Sequence, residues 1–345
     1  MTHINILDLS IKELELHIEQ FGEKKFRAKQ LLNWIYKKNV FNFDLMTNMS
    51  EEFKNKLKSN YSLDIPKIYK YQQSILDRSY KFLLETKDQN LIESILILES
   101  GRSTLCVSCM IGCPLKCKFC ATGNELQFKR NLKTSEILGQ FIAIQDFIKE
   151  NNLSEKITNI VFMGMGEPLL NLENIEKTIQ MLTSMDGFGL SKSRITVSTA
   201  GITKNLANFI NKYGVKIAVS IHFPTEEQRS EFMPVNKLYS LSQLISELKK
   251  ISLNKRDFIT IEYLMIKDVN DSLLHAKSLL KLVSNLKVKI NLIPFNPIKT
   301  FAANPSSNDT IEKFANFLKA KNIFVTIRKS RGKDTQGACG QFALK

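Results

Sequence analysis

Apolar residues recur at three- and four-residue spacing over Ile11 to Phe21, Phe26 to Lys37 and Glu51 to Asn60. An amphipathic helix with one stripe against a core has this period. The spacing predicts a small helical module in residues 1–75, with Ser50 placed to cap the third helix. Trp34, the only tryptophan, falls within the second helix and reads as core filler rather than as a platform for a nucleobase. The period then drops to two. Lys67 to Gln73, Tyr80 to Glu85 and Leu91 to Leu98 alternate as short antiparallel strands do, and lead into the main domain as a β extension over residues 76–104.

From Leu105 onward the pattern becomes strand, loop, helix, repeated. Strands are predicted at Leu105 to Met110, Ile157 to Met163, Arg194 to Thr199, Lys216 to Ile221, Phe258 to Met265 and Lys289 to Ile293. Helices are predicted at Thr134 to Lys149, Leu172 to Met185, Lys204 to Lys212, Leu241 to Ile251, Leu273 to Leu282 and Thr310 to Ala320. Six such units in series imply parallel strands joined by right-handed crossovers. The expected fold class is therefore α/β, a partial (β/α)6 barrel over residues 105–330 with a tail at 331–345. Its active site is expected at the C-terminal ends of the strands.

Length and charge narrow the partners. The chain has 345 residues, enough for a sizeable core, and 49 Lys+Arg against 34 Asp+Glu give a net charge of +15. That excess favours a polyanion, although a surface of scattered lysines gives the same sum. Lys24-Lys25-Phe26-Arg27, Lys37-Lys38 and Lys129-Arg130 are the candidate contact patches. The apolar run around Ile95 to Leu98 is too short to span a bilayer, so no membrane partner is expected. The N-terminus lacks a basic region followed by a long apolar one, which makes a reducing cytoplasm the default.

Cysteine use then carries the chemistry. Of 6 cysteines, Cys106, Cys109, Cys113, Cys117 and Cys120 fall close together and Cys339 stands near the end. A tight group in a reducing compartment points to metal binding or catalysis rather than a disulfide framework. Cys113-Pro114-Leu115-Lys116-Cys117-Lys118-Phe119-Cys120 is a CxxxCxxC, one thiolate short of a structural zinc site. Three thiolates on a four-iron cluster leave one iron open to an outside ligand. Met163-Gly164-Met165-Gly166-Glu167-Pro168-Leu169 follows the second strand; its glycines admit close backbone approach and Glu167 can pair with an ammonium group. Ser198, Ser220-Ile221-His222 and Asn296 stand at the ends of later strands and complete a polar ring able to grip a ligand.

The cluster spacing after a first strand resembles the radical S-adenosylmethionine (SAM) superfamily. Thr104-Leu105-Cys106-Val107-Ser108, Phe119-Cys120-Ala121-Thr122-Gly123, Gly164-Met165-Gly166-Glu167-Pro168, Phe232-Met233-Pro234-Val235-Asn236 and Gly337-Ala338-Cys339-Gly340-Gln341 narrow the resemblance to the RlmN family of bacterial dual-specificity RNA methyltransferases. Phe26-Arg27-Ala28-Lys29-Gln30 and Trp34-Ile35-Tyr36 extend it over nearly the whole chain.

The resemblance implies methylation of carbon 2 of an adenosine in 23S rRNA near the peptidyl transferase centre and of the adenosine 3′ of the anticodon in tRNA. It implies a [4Fe-4S] cluster on Cys113, Cys117 and Cys120. It places SAM on Gly166, Glu167, Ser198, Ser220, Ile221, His222 and Asn296. Carbon 2 is electron-poor, so it does not attack the methyl of SAM, whereas a carbon radical adds to it. By the same resemblance Cys339 takes a methyl group from one SAM and becomes a thiomethylene radical after a second SAM is cleaved. Cys106 then resolves the RNA adduct through a transient disulfide with Cys339. Glu93 matches the family's proton acceptor; whether it or Cys106 takes the proton stays open, as does the role of Cys109. A flavodoxin-type reductant is implied, and residues 1–75 become an RNA-binding accessory domain. The alternatives are the related family that methylates carbon 8 of the same adenosine, and a non-enzymatic RNA-binding protein with a structural metal knuckle.

Overall fold

The computed structural model describes residues 3–153 and 155–344. The outermost residues of the expected module and tail, Met1, Thr2 and Lys345, lie outside the described residues. Helices α1 (Ile11–Gln20), α2 (Phe26–Leu32) and α3 (Glu51–Asn60) form the N-terminal module, closed by a short parallel pair, β1 (Ile4–Asn5) with β2 (Tyr61–Ser62). Ser10 opens α1 with a capping box, its hydroxyl accepting from Glu13 N at 3.2 Å while Glu13 Oε2 accepts from Ser10 N at 2.7 Å. Ser50 accepts from Phe53 N, as expected of a cap. The second predicted helix changes character halfway: Asn33–Lys37 is a π-helical turn, which brings Ile35 and Tyr36 into the core and leaves Trp34 half-buried beneath Lys38 Nζ.

Strands β3 (Lys67–Gln73), β4 (Ser79–Glu85), β5 (Leu91–Glu99) and β6 (Arg102–Cys106) pair antiparallel. The sheet continues in parallel through β9 (Asn159–Phe162), β10 (Ile195–Thr199), β11 (Lys216–Ser220), β12 (Ile259–Met265), β13 (Val288–Pro294) and β14 (Phe324–Ile327). The extension is thus hydrogen-bonded into the barrel sheet, with order β14-β13-β12-β11-β10-β9-β6-β5-β4-β3. The six expected parallel strands are present, and β14 adds one that a four-residue apolar and polar run, Phe-Val-Thr-Ile, was too short to signal.

The first barrel strand ends at Cys106 rather than Met110. Val107 N still donates to Val161 O at 3.0 Å and Gly164 N to Val107 O at 3.1 Å, after which Met110–Ile111 (β7) leaves to pair with Arg130–Asn131 (β8). Crossovers are made by α4 (Ala121–Glu125), α5 (Thr134–Glu150), α6 (Leu172–Thr183), α7 (Leu206–Tyr213), α8 (Glu226–Phe232), α9 (Leu241–Leu248), α10 (Leu273–Val283) and α11 (Asn308–Lys319). Strand β12 is buried at every position, as a central parallel strand covered on both faces should be. Among the described residues no helix is long and apolar enough to cross a membrane.

Candidate active site

At the C-terminal ends of the parallel strands lies a cleft of about 990 Å³ including its mouth, large enough for a ligand. Cys113, Cys117 and Cys120 line it together with Gly166, Glu167, Ser198, Ser220 and His222. Their loop is shaped by its own backbone. Lys116 takes a positive φ of 51° between two cysteines, and Asn124 Nδ2 donates to Cys117 O at 2.6 Å and Cys120 O at 2.8 Å. Burial pushes the Cys113 thiol up to about 12 and raises Cys117 and Cys120 as well. Among the described residues no three His, Cys, Asp or Glu side chains are grouped to hold a single metal ion. Three cysteine sulfurs brought to one opening are the donor set of a four-iron cluster that keeps one iron free for an outside ligand.

The opposite wall is glycine-built. A Cβ at Gly166, whose φ is +101°, would meet Met110 side-chain atoms at 2.6 Å, and one at Gly164 would meet Val107 O at 2.7 Å. Glu167 is buried, with Oε1 accepting from Leu169 N at 3.1 Å and Oε2 from Ala200 N at 2.7 Å. Burial outweighs those two bonds and brings its pKa up to about 7. His222 has φ 56°, and its Nδ1 accepts from Leu264 N at 3.1 Å, which leaves the proton on Nε2. Burial holds its pKa down to about 3, so the ring is a neutral donor. Phe119 stands edge-on to it at 5.0 Å between ring centroids.

Two of the expected ring positions sit differently. Ile221 is fully buried and does not line the cleft, since the strand's alternation turns it inward. Asn296 is also outside the lining: its Nδ2 donates to Cys339 O at 3.1 Å, while its buried Oδ1 has no partner.

The tail brings Cys339 to the same cleft. Ala121 N donates to Gly340 O at 2.7 Å and Thr122 Oγ1 to Phe342 O at 2.9 Å, so the segment is fastened to the cysteine loop. Cys339 also lines a side cavity of about 650 Å³ shared with Cys106, Ile95, Ile97 and Arg328. Burial, then the neighbouring Cys339, pushes the Cys106 thiol up to about 12. Cys109 faces away: it is 2% exposed, with its thiol 3.6 Å from Met165 O.

Glu93 shares a strand face with Ile95 and Ile97 but lies beyond the cavity, under the tail. It is fully buried, 2.6 Å from Lys81 Nζ, and its Oε1 accepts from Leu344 N at 3.1 Å. Oε2 has no hydrogen-bond partner. Burial raises its pKa, and Lys81 opposes that rise.

Sequence reasoning missed Lys81, Arg229, Glu262 and Arg328. Glu262 and Arg328 line the cleft, and Arg328 is charge-coupled to both Cys339 and Cys106. A charged residue inside the otherwise uncharged run of β12 was the available signal for Glu262. Arg328 carried none, because the strand before it went unseen.

Three thiolates on one loop at the strand ends, facing a glycine cradle with a buried acid and a neutral histidine, define the protein as a radical SAM enzyme. Residues 107–280 match the family model described as Radical SAM superfamily, and residues 4–63 match the Ribosomal RNA large subunit methyltransferase N-terminal domain. The chain is 44% identical over 347 residues to the dual-specificity RNA methyltransferase RlmN of Buchnera aphidicola subsp. Cinara cedri, covering 98% of this chain and 95% of the relative. It is 42% identical to the probable dual-specificity RNA methyltransferase RlmN of Thermosipho melanesiensis, covering 98% and 97%. The crystal structure of a radical SAM methyltransferase from Sphaerobacter thermophilus superposes with a TM-score of 0.91 at 33% identity, covering 99% of this chain and 100% of that one. The chain belongs to the RlmN family.

Proposed function

We propose that the protein is a radical SAM RNA methyltransferase that methylates carbon 2 of an adenosine in 23S rRNA and in tRNA. The observation that carries this is the cleft itself, where the CxxxCxxC thiols and the tail's Cys339 share one opening and Cys106 adjoins it. Cys113, Cys117 and Cys120 hold the [4Fe-4S] cluster. Gly166, Glu167, Ser198, Ser220 and His222 hold SAM, with Ile221 supporting the turn and Asn296 fixing the tail backbone. The bound cluster and SAM supply a methyl cation equivalent in one half of the cycle and a carbon-centred radical in the other.

The residues of the chain do the rest. Cys339 accepts the methyl group and carries it to the adenine; Arg328 lines both the cleft and the side cavity beside it. Cys106 reaches Cys339 across the side cavity and releases the product by forming a disulfide, after which both thiols are regenerated by reduction. Glu93 and Cys106 are the two candidate proton acceptors: Glu93 has a buried Oε2 without a hydrogen-bond partner, and Cys106 lines the side cavity. Glu167, its carboxyl group already oriented by two backbone donors, would pair with the ammonium of SAM.

The helical module of residues 1–75 serves as an RNA-binding accessory domain, 76–104 as the β extension, 105–330 as the barrel and 331–345 as the carrier tail. We place the enzyme in the cytoplasm with a flavodoxin-type reductant and no membrane partner. Anaerobic reconstitution, incubation with a 23S rRNA fragment or tRNA, and mass spectrometry of the digested nucleosides test the reading. The expected product is 2-methyladenosine. Only 8-methyladenosine would assign the chain to the carbon-8 chemistry, and bound zinc without SAM cleavage would refute both.

A further inference from the structure

The segment Phe232-Met233-Pro234-Val235-Asn236 has no part in the chemistry above, yet it surrounds the most deeply buried cation of the site. Arg229, on α8, is 0% exposed. Its Nη1 donates to Asn236 Oδ1 at 2.7 Å, and its Nη2 donates to Ala200 O at 2.5 Å and Ser220 O at 3.2 Å. Those two carbonyls end β10 and β11, adjacent strands whose Ser198 and Ser220 line the cleft. Ala200, whose carbonyl accepts from Arg229, donates its own N–H to Glu167 Oε2. The guanidinium has a further N–H, on Nε, that is buried and without a partner.

The cysteine loop is docked on the helix that carries Arg229: Lys118, next to Cys117, donates its N–H to Phe232 O at 2.9 Å and sets its Nζ 3.1 Å from Glu231, and the charge of Arg229 is felt at the Cys117 thiol. Gly201 leaves the room: a Cβ there would stand 2.8 Å from Nη2. Asn236 fixes the guanidinium from the far side, its Nδ2 donating to Glu226 Oε2 at 2.8 Å and Ser230 Oγ at 2.7 Å. A buried cation is costly unless it is paired and hydrogen-bonded, and two of its three hydrogen-bond partners, Ala200 and Ser220, line the cleft.

We infer that Arg229 is a positioning residue of the reaction, whose fixed buried charge beside Cys117 favours the reduced cluster while its fork locks the ends of β10 and β11. The inference rests on the reading of Cys113, Cys117 and Cys120 as cluster ligands. Taking up one electron from a low-potential donor adds one negative charge to the cluster. A nearby cation in a low-dielectric site stabilises that product and so raises the reduction potential.

The test uses the full chain, reconstituted anaerobically, with iron and sulfide counted and the cluster titrated with dithionite while its electron paramagnetic resonance signal is followed. Arg229→Met removes the charge and keeps the bulk. At a fixed potential its ratio of reduced to oxidised cluster should fall about tenfold or more, a shift of about 59 mV for one electron. Arg229→Lys keeps the charge and loses the fork, so its ratio of reduced to oxidised cluster at the same potential should stay within about threefold of the parent while SAM binds more weakly. Glu226→Gln removes the negative partner of Arg229 and should move the potential the other way by a smaller, severalfold ratio. An Arg229→Met protein with full iron and an unchanged potential overturns the inference, as does an Arg229→Lys protein that falls as far as Arg229→Met. Should Arg229→Met lose its fold, Glu226→Gln decides, and no upward shift there overturns the proposal. A parent chain that assembles no cluster at all refutes the underlying reading instead.

Discussion

The two walls of the cleft are built on opposite terms. On the barrel side each polar group sits at the end of a regular strand and is held by backbone atoms: Glu167 by Leu169 and Ala200, His222 by Leu264. On the other side the key groups are carried by an irregular tail that crosses from β14 to the antiparallel extension. Arg331 pairs with Glu99 there, Gly332 N donates to Asp77 Oδ2, and Leu344 N donates to Glu93. The contrast matches the chemistry each wall is proposed to perform. A site that binds the same cofactor every cycle gains from rigid strand ends, whereas a cysteine that changes covalent partner needs a segment tied at a few points.

Single cysteine substitutions break that comparison most sharply. Cys117→Ala should lose the broad visible absorbance of the reconstituted protein and all SAM cleavage, because the cleft loses its cluster. Cys339→Ala should keep the absorbance and the cleavage yet never carry a methyl group, read by intact-protein mass spectrometry. Equal loss of absorbance in both would mean that Cys339 is a ligand and the two walls are one site.

The buried Lys81 and Glu93 pair sharpens the tail side. Lys81→Met leaves Glu93 without its cation, and breaking a buried pair from one side costs about 3–5 kcal/mol when the remaining group stays charged. Burial already raises the Glu93 pKa and Lys81 opposes it, so removal of Lys81 raises it further. A carboxyl whose folded pKa lies above its unfolded value stabilises the fold only while protonated, and that contribution disappears as pH rises through the folded value. Denaturant unfolding should therefore show a small loss for Lys81→Met near pH 4 and a growing one toward pH 8. Adding Glu93→Gln should recover most of it. A loss that is the same at both ends of that range would show that Lys81 acts by packing alone.

The same contrast decides what was legible beforehand. Strand-end residues were readable because their positions follow from period: Gly166, Glu167, Ser198, Ser220 and His222 each fall where a predicted strand stops, and all line the cleft. The helices were found within a few residues because their stripes and caps are local. Contacts made by the tail were not readable, since nothing local links Leu344 to Glu93 or Asp334 to Ser74. Glu93 and Cys339 entered only through resemblance. Arg229 sat in an unpredicted seven-residue helix with no stripe to announce it. Ile221 shows the limit of counting to the end of a strand, for the next residue along points into the core.

Cys109 gives the mildest test, on the border between the walls. It lies in the cluster region of the sequence but is buried against Met165, with its thiol aimed at that residue's carbonyl at 3.6 Å and away from both cavities. Burial holds its thiol well above the usual range, and unlike Cys106 it lines neither opening. Cys109→Ser trades a weak S–H donor for a stronger O–H donor to the same acceptor, against the loss of some packing volume. The two changes oppose each other, and stability should move by no more than about 1 kcal/mol. Methyl transfer to Cys339, cluster content and RNA methylation should remain within about twofold of the parent. If Cys109→Ser instead accumulated protein covalently joined to RNA, the resolving thiol would be Cys109, and the side cavity shared by Cys106 and Cys339 would have to open before resolution.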